Sequence, residues 1–278
     1  MPIDLWEKYK DDMTEDILHR MRLTTSNPHL EIGVEIYNEA LILIEDICLT
    51  MVNKMLTQLG MISPNRSMHV AFNQEVQREL NYDRDELKET VRSNIPKMNH
   101  NQKSAYDTII KAVNDESGGI YFLDAPGGTG KTFLISLLLA TVRSQNKIAL
   151  ALASSSIAAT LLDGGRTAHS ALKLPLNMQI NENPTCNISK TCPMAIVLQQ
   201  CKIIVWDECT MAHKKSLQAL ERTLQDLRDT RILFGGVLIL LAGDFRQTLP
   251  VIPRSTAADE INACLKSSNL WRHVKTLP

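Results

Sequence analysis

Residues 97–278 predict an α/β domain built on a mostly parallel sheet. Three observations carry that expectation: four short apolar runs lie along this stretch, polar residues follow each run, and a glycine-rich turn joins the first run to a helix-like segment. Strands buried on both faces read as continuous apolar runs, and ligands bind beyond their carboxyl ends, where the polar residues stand here.

Residues 1–96 read as a helical region ahead of that domain. From Ile36 to Leu59, residues Ile36, Ala40, Leu43, Ile44, Ile47, Met51 and Met55 recur at helical spacing, the stripe of an amphipathic helix packed on other helices. Asp83 to Arg92 is a charged, exposed helix. Ile95-Pro96 marks a boundary, because the residue before proline is disfavoured in a helix. The region is either an accessory domain or the tail of a preceding domain in a larger polyprotein.

The first apolar run, Gly119 to Leu123, carries the strand-forming residues Ile120, Tyr121 and Phe122, and Thr132 to Ala140 reads as a helix. Between them lies Asp-Ala-Pro-Gly-Gly-Thr-Gly-Lys-Thr, a P-loop, which makes this turn a nucleoside triphosphate cradle. Backbone N–H groups at a helix start lack internal partners and carry about half a positive charge. Gly127, Gly128, Thr129 and Gly130 let that backbone curl around phosphate oxygens. Lys131 is placed to reach the β- and γ-phosphates, and the Thr132 hydroxyl to ligate Mg²⁺. The usual pattern opens with glycine, where this chain has Ala125. The alternative is a turn that merely links strand to helix.

The run Lys202 to Trp206 ends in Asp207-Glu208, two carboxylates at a strand tip. Asp207 suits Mg²⁺ held through water, and Glu208 suits the orientation and deprotonation of an attacking water. Val237 to Ala242 ends in Gly243-Asp-Phe-Arg-Gln247, where Gln247 can sense a γ-phosphate without adding charge. Arg246 is either a surface residue or a link between nucleotide and a DNA groove.

Five blocks in order give the chain a resemblance: Asn99-His-Asn-Gln102 with Ala105-Tyr106; Ala125 to Thr132; Ala153 to Pro175 with Gly-Gly-Arg-Thr-Ala-His-Ser; Val205 to Met211; and Gly235 to Pro253. Together they cover residues 97–278 and resemble the Pif-one family of superfamily-one DNA helicases, in particular the Helitron type. The resemblance implies a RecA-like P-loop domain, ATP and Mg²⁺ as cofactors, and 5′-to-3′ movement on single-stranded DNA in repair, recombination or mobile-element replication. It implies that Gln102 reads adenine and that Gln247 couples hydrolysis to motion. An amide offers an acceptor and two donors to the N6/N7 edge, as the first role requires. It also implies a second RecA-like lobe carrying an arginine finger, so that this chain, ending at Pro278 before that lobe, is expected to be a weak ATPase.

DNA-facing residues are expected after one further strand run and on the loop that follows it. Ser154 and Ser155 follow the run Ile148 to Ala153 and either grip backbone phosphates or cap the next helix. Thr167, His169 and Ser170 fall on a following loop where the family contacts the strand; Leu172 stands where the family often has an aromatic. The polar stretch Asn177 to Pro193 is expected to be a mobile insertion on that side.

Composition fits a soluble protein of nuclear, cytoplasmic or mitochondrial location. Thirty Lys and Arg offset 31 Asp and Glu, so any DNA contact must come from a local groove rather than long-range attraction. The most apolar helical stretch, Ala40 to Leu49, is cut by Glu45 and Asp46, and Met1 to Lys10 lacks the apolar core of a signal peptide. The six cysteines form no CxxC pair and read as reduced thiols. Two other functions stay open: a non-catalytic mobile-element remnant that binds nucleotide or DNA, and a nucleotide kinase on the same scaffold.

Overall fold

The computed structural model describes residues 2–24, 31–52, 54–66, 74–175, 178, 181–190, 192–252 and 256–277. The chain divides into two compact units, Met1–Gln77 and Arg78–Pro278.

In the first unit, α1 (Pro2–Thr24) and α2 (Val34–Val52) enclose Trp6, Ile17, Leu18, Ile36, Ala40 and Leu41, joined by Leu56 from the turn Leu56–Leu59. The buried face of α2 differs from the expected stripe. Leu43, Ile47, Met51 and Met55 are exposed, while Leu41, Ile42 and Glu45 are buried. Apolar residues surround this helix, so periodicity does not select a side; Trp6 and its neighbours do. Burial of Glu45 is matched by charge and hydrogen bonding: Arg66 donates to it at 2.7 Å and the Leu56 amide at 3.2 Å.

The second unit begins before the boundary expected at Pro96. Helix α4 (Arg84–Asn94), which follows α3 (Gln74–Leu80), has no buried residue and is capped by Asp83, yet Val91, Ile95 and Met98 rest on the sheet's core. Next come α5 (His100–Asn114), β1 (Gly119–Asp124), α6 (Lys131–Ser144), β2 (Ala149–Ala153) and β3 (Arg166–Thr167). They are followed by α7 (Pro193–Gln200), β4 (Ile203–Asp207), α8 (Lys214–Leu227), β5 (Leu238–Gly243) and β6 (Val274–Leu277).

The six strands pair in parallel, in the order β3-β2-β4-β5-β1-β6. The four runs expected to be strands are strands, each within a residue of its expected limits. Alternate residues such as Tyr121, Leu123, Val205 and Leu240 join Ile109, Ile135 and Leu138 in one core, and Phe122, Leu152, Trp206 and Leu241 are equally buried on the opposite face. Because every pair is parallel, β1, β2, β4 and β5 deliver their carboxyl ends to one edge.

Two buried charges hold the β3 side. Arg143 donates to the carbonyls of Asp163 (2.8 Å) and Ala149 (3.0 Å) and stacks over Tyr82. Arg166 donates to Glu79 at 2.7 Å.

The stretch 181–190 is tied to α8, in contrast to the mobile insertion expected. Arg222 donates to the Pro184 carbonyl at 3.0 Å, and the amide of buried Cys186 donates to Thr223 at 3.0 Å. Asn177 lies outside the described residues. All six cysteines are free, and burial pushes the Cys186 and Cys201 thiols up to about 11 and about 12. Among the described residues, no helix is long and apolar enough to cross a membrane.

A pH-sensitive cap starts α8. His213 Nδ1 accepts from the Lys215 amide at 3.1 Å, a bond that only an unprotonated nitrogen can make. Burial, aided by Lys215 and Lys214, lowers its pKa from the model-peptide value of 6.5. The unfolded chain therefore binds the proton first as pH falls, so this contribution to stability is present above about pH 6.5 and is lost below it. In thermal melts the His213→Asn variant should show a smaller loss of Tm between pH 7.5 and 5.5 than the parent. Equal losses would remove His213 from the account.

Candidate nucleotide-binding site

The turn between β1 and α6 forms the floor of the site. Gly128 and Gly130 hold φ of +80° and +83°, a left-handed backbone that glycine adopts without strain. Close approach matters as much as φ: a Cβ on Gly130 would lie 2.6 Å from Gln102 Nε2. Ala125, the departure from the usual glycine, has no positive φ, and it is buried in the core beneath the turn, so its methyl group has a place.

Gln102 is fixed to this floor. Asn99 caps α5, and the Gln102 side chain accepts from the Asn99 amide (3.0 Å) while donating to the Thr129 carbonyl (3.0 Å). With Asn99, Asn101, Asp124, Pro126 and Leu134 it lines one cavity beside the turn.

A second cavity opens on the other side of Lys131, lined by Gly127, Gly128, Gly130, Lys131, Thr132, Glu208, Asp244 and Gln247. Lys131 Nζ lies 2.9 Å from Asp207 Oδ1 and 2.5 Å from Glu208 Oε1. Burial alone would lower the Lys131 pKa, but the hydrogen bonds that it donates to Glu208 and Asp207 outweigh it and raise it above the ordinary lysine value. The lysine thus stays charged at neutral pH. Glu208 adopts φ +49°, an uncommon backbone for a side chain with a Cβ. Three strand tips thereby converge: Thr132 after β1, Asp207 and Glu208 at β4, and Gln247 after β5.

Asp244 organises the third tip, a part that the residue pattern does not disclose. Its Oδ1 accepts from the backbone and Nε of Arg246 (2.9 and 2.8 Å), and its Oδ2 from Gln247 Nε2 (3.0 Å). Arg246 hydrogen bonds, first by side chain and then by backbone, hold the Asp244 carboxyl below its ordinary range. The Arg246 side chain is 67% exposed and turns along the surface toward Asp124, 3.9 Å away.

Of the residues expected to face DNA, Ser154, Ser155, His169 and Ser170 do not line this cavity and follow β2 and β3. The Ser154 hydroxyl accepts from Trp206 Nε1 (3.0 Å), and Ser155 caps the short helix Ser156–Thr160. His169 and Ser170 are exposed beyond β3. Leu172 is fully buried, so the position where an aromatic was looked for belongs to the core. Ile157 and Leu161 are the exposed apolar residues beside Ser155, at 79% and 63%.

Comparison with known proteins bears on the family and the fold. The family model described as PIF1-like helicase matches residues 97–278. ATP-dependent DNA helicase Pif1 of a Psychrobacter species is 30% identical over 136 residues, covering 49% of this chain and 20% of that protein. ATP-dependent DNA helicase RRM3 of Saccharomyces cerevisiae is 23% identical over 194 residues, covering 67% of this chain and 26% of that protein. The chain's match therefore spans about a fifth to a quarter of the length of these relatives. The crystal structure of Pif1 helicase from Bacteroides in complex with ADP-AlF3 and single-stranded DNA superposes with a TM-score of 0.52 at 20% identity, covering 62% of this chain and 41% of that one. At that identity the superposition establishes the shared fold.

Proposed function

The chain belongs to the PIF1-like helicase family, and from that premise we propose that its second unit is the nucleotide-hydrolysing half of an ATP-dependent helicase that moves 5′ to 3′ on single-stranded DNA. The observation that carries this reading is the convergence of Lys131, Glu208 and Gln247 on one cavity at the end of the P-loop. The solved relative bound to ADP-AlF3 and single-stranded DNA supports the same substrates.

Each residue then has a task. The turn Gly127 to Gly130 presents backbone N–H groups to the phosphates, and Lys131 neutralises the outer two. Gln102, anchored at Thr129, meets the adenine edge. Glu208 takes the proton of the attacking water, and Gln247, held by Asp244, senses the γ-phosphate. Among the described residues no group of three or more His, Cys, Asp or Glu is placed to hold a metal ion. The Thr132 hydroxyl and the Asp207 carboxylate are hard oxygen donors of the kind Mg²⁺ takes, and these two would hold it. When bound, the ion would neutralise charge on the phosphates. Ser154, Ser155, His169, Ser170 and Arg246 would touch DNA along the edge, and a second RecA-like lobe would complete the groove. Repair, recombination and mobile-element replication are the processes such a motor serves, in the nucleus, cytoplasm or mitochondrion.

The test is phosphate release by the purified chain with and without single-stranded DNA. Lys131-dependent release is expected, rising when DNA is added. No nucleotide binding, or release unchanged in Lys131→Ala, would reject the reading. Transfer to a nucleoside monophosphate in place of free phosphate would favour the kinase.

A further inference from the structure

The two loops that carry Glu208 and Gln247 are joined by a hydrogen bond outside the nucleotide cavity. The hydroxyls of Thr210 and Thr248 lie 2.6 Å apart. Thr210 is fully buried in the turn that follows Glu208, and Thr248 is the residue after Gln247. Room for Thr210 depends on Gly243, at the end of β5, where an added Cβ would approach its Cγ2 to 3.0 Å. The rest of the Gln247 turn is held from within and by its aromatic residue: Asp244 O accepts from the amides of Gln247 (3.1 Å) and Thr248 (3.4 Å), Asp244 Oδ2 holds the Gln247 side chain, and Phe245 packs on Phe122 and Trp271. Thr248 is thus the place where this turn hydrogen-bonds the carboxylate loop.

We propose that Thr210 and Thr248 are positioning residues that fix the Gln247 amide relative to Glu208, and so set how strongly the site distinguishes a nucleoside triphosphate from a diphosphate. The proposal rests on the reading of this cavity as a nucleotide site. Neither hydroxyl lines the cavity, so each acts through the loop that it holds. A half-buried hydrogen bond between two neutral groups makes a modest net contribution, and its loss here should appear as a change of about three- to tenfold in discrimination rather than as inactivation.

The experiment measures dissociation constants for a non-hydrolysable ATP analogue and for ADP, with phosphate release and Tm, in the parent chain and in Thr248→Val, Thr248→Ser and Thr210→Val. Valine keeps the shape and removes the hydroxyl; serine keeps the hydroxyl. The expected result is a preference for the ATP analogue in the parent that shrinks about three- to tenfold in Thr248→Val, with a similar fall in kcat and little change in KM. Thr248→Ser should stay within about twofold of the parent, and combining Thr210→Val with Thr248→Val should cost no more than either alone. Should one valine variant fail to fold, the other carries the same test. A preference and kcat unchanged in Thr248→Val would overturn the proposal while leaving the nucleotide reading intact. So would failure of serine to restore them. A parent that binds neither nucleotide overturns both.

Discussion

Replacing Glu208 by Gln should leave nucleotide binding in place and slow phosphate release about 10²- to 10⁴-fold, the usual contribution of a positioned general base. The amide keeps the shape of the side chain but cannot accept the proton of the attacking water. Lys131 is expected to remain in position, because Asp207, 2.9 Å from its Nζ, still supplies a carboxylate. Single-turnover release measured beside equilibrium binding separates the two effects. A variant that binds normally and hydrolyses within about threefold of the parent would remove Glu208 from the chemistry, whereas one that no longer binds would give it a structural role. Lys131→Ala makes the contrast: it leaves Asp207 and Glu208 facing each other without their shared cation, and binding itself should suffer.

The second large effect is on stability. Glu79→Ala should destabilise the second unit by about 3–5 kcal/mol, since it removes the buried carboxylate of the Glu79–Arg166 ion pair. Glu79 is 1% exposed and the Arg166 side chain 12%, so little solvent reaches the pair. Burial raises the Glu79 pKa despite the nearby Arg166 and Arg143 charges, a sign of how dry the site is. For a unit of this size the loss corresponds to a fall in Tm of about 6–20 °C. Glu79→Leu combined with Arg166→Met should regain most of it, because an apolar pair of similar volume needs no partner. A single variant that melts within about 2 °C of the parent would show that the pair is hydrated in solution.

The parts of this protein that its residues disclose are those governed by neighbours in the chain. The P-loop, the strand runs and the polar residues at their tips are local patterns, and the structure places them as expected. A short apolar run needs no knowledge of its partners to be a buried strand. What stayed hidden depends on distant residues. The face of α2 is chosen by Trp6 and Ile17, since its own residues are apolar nearly all round. β6 is partly exposed, and its pairing with β1 supplies what its composition does not. In the candidate site, the grouping of Lys131, Glu208 and Gln247 around one cavity was legible because each follows a strand run of the same parallel sheet. Asp244 and the Thr210–Thr248 bond were not, because a side chain that holds another side chain leaves no period in the sequence. Leu172 shows the reverse: compared by position it suggests a lost stacking surface, yet its complete burial assigns it to packing.

The strand order has a bearing on how this molecule is made. β1, which delivers the P-loop, is flanked by β5 and β6, and Gly119 pairs with Leu238. A ribosome adding about 5–20 residues per second needs on the order of ten seconds between those two residues. Through that interval β1 has neither neighbour, and its apolar face must be shielded by α5, α6 or a chaperone. The sheet that carries the cradle is therefore completed late in synthesis, well after every residue of the glycine turn has been made.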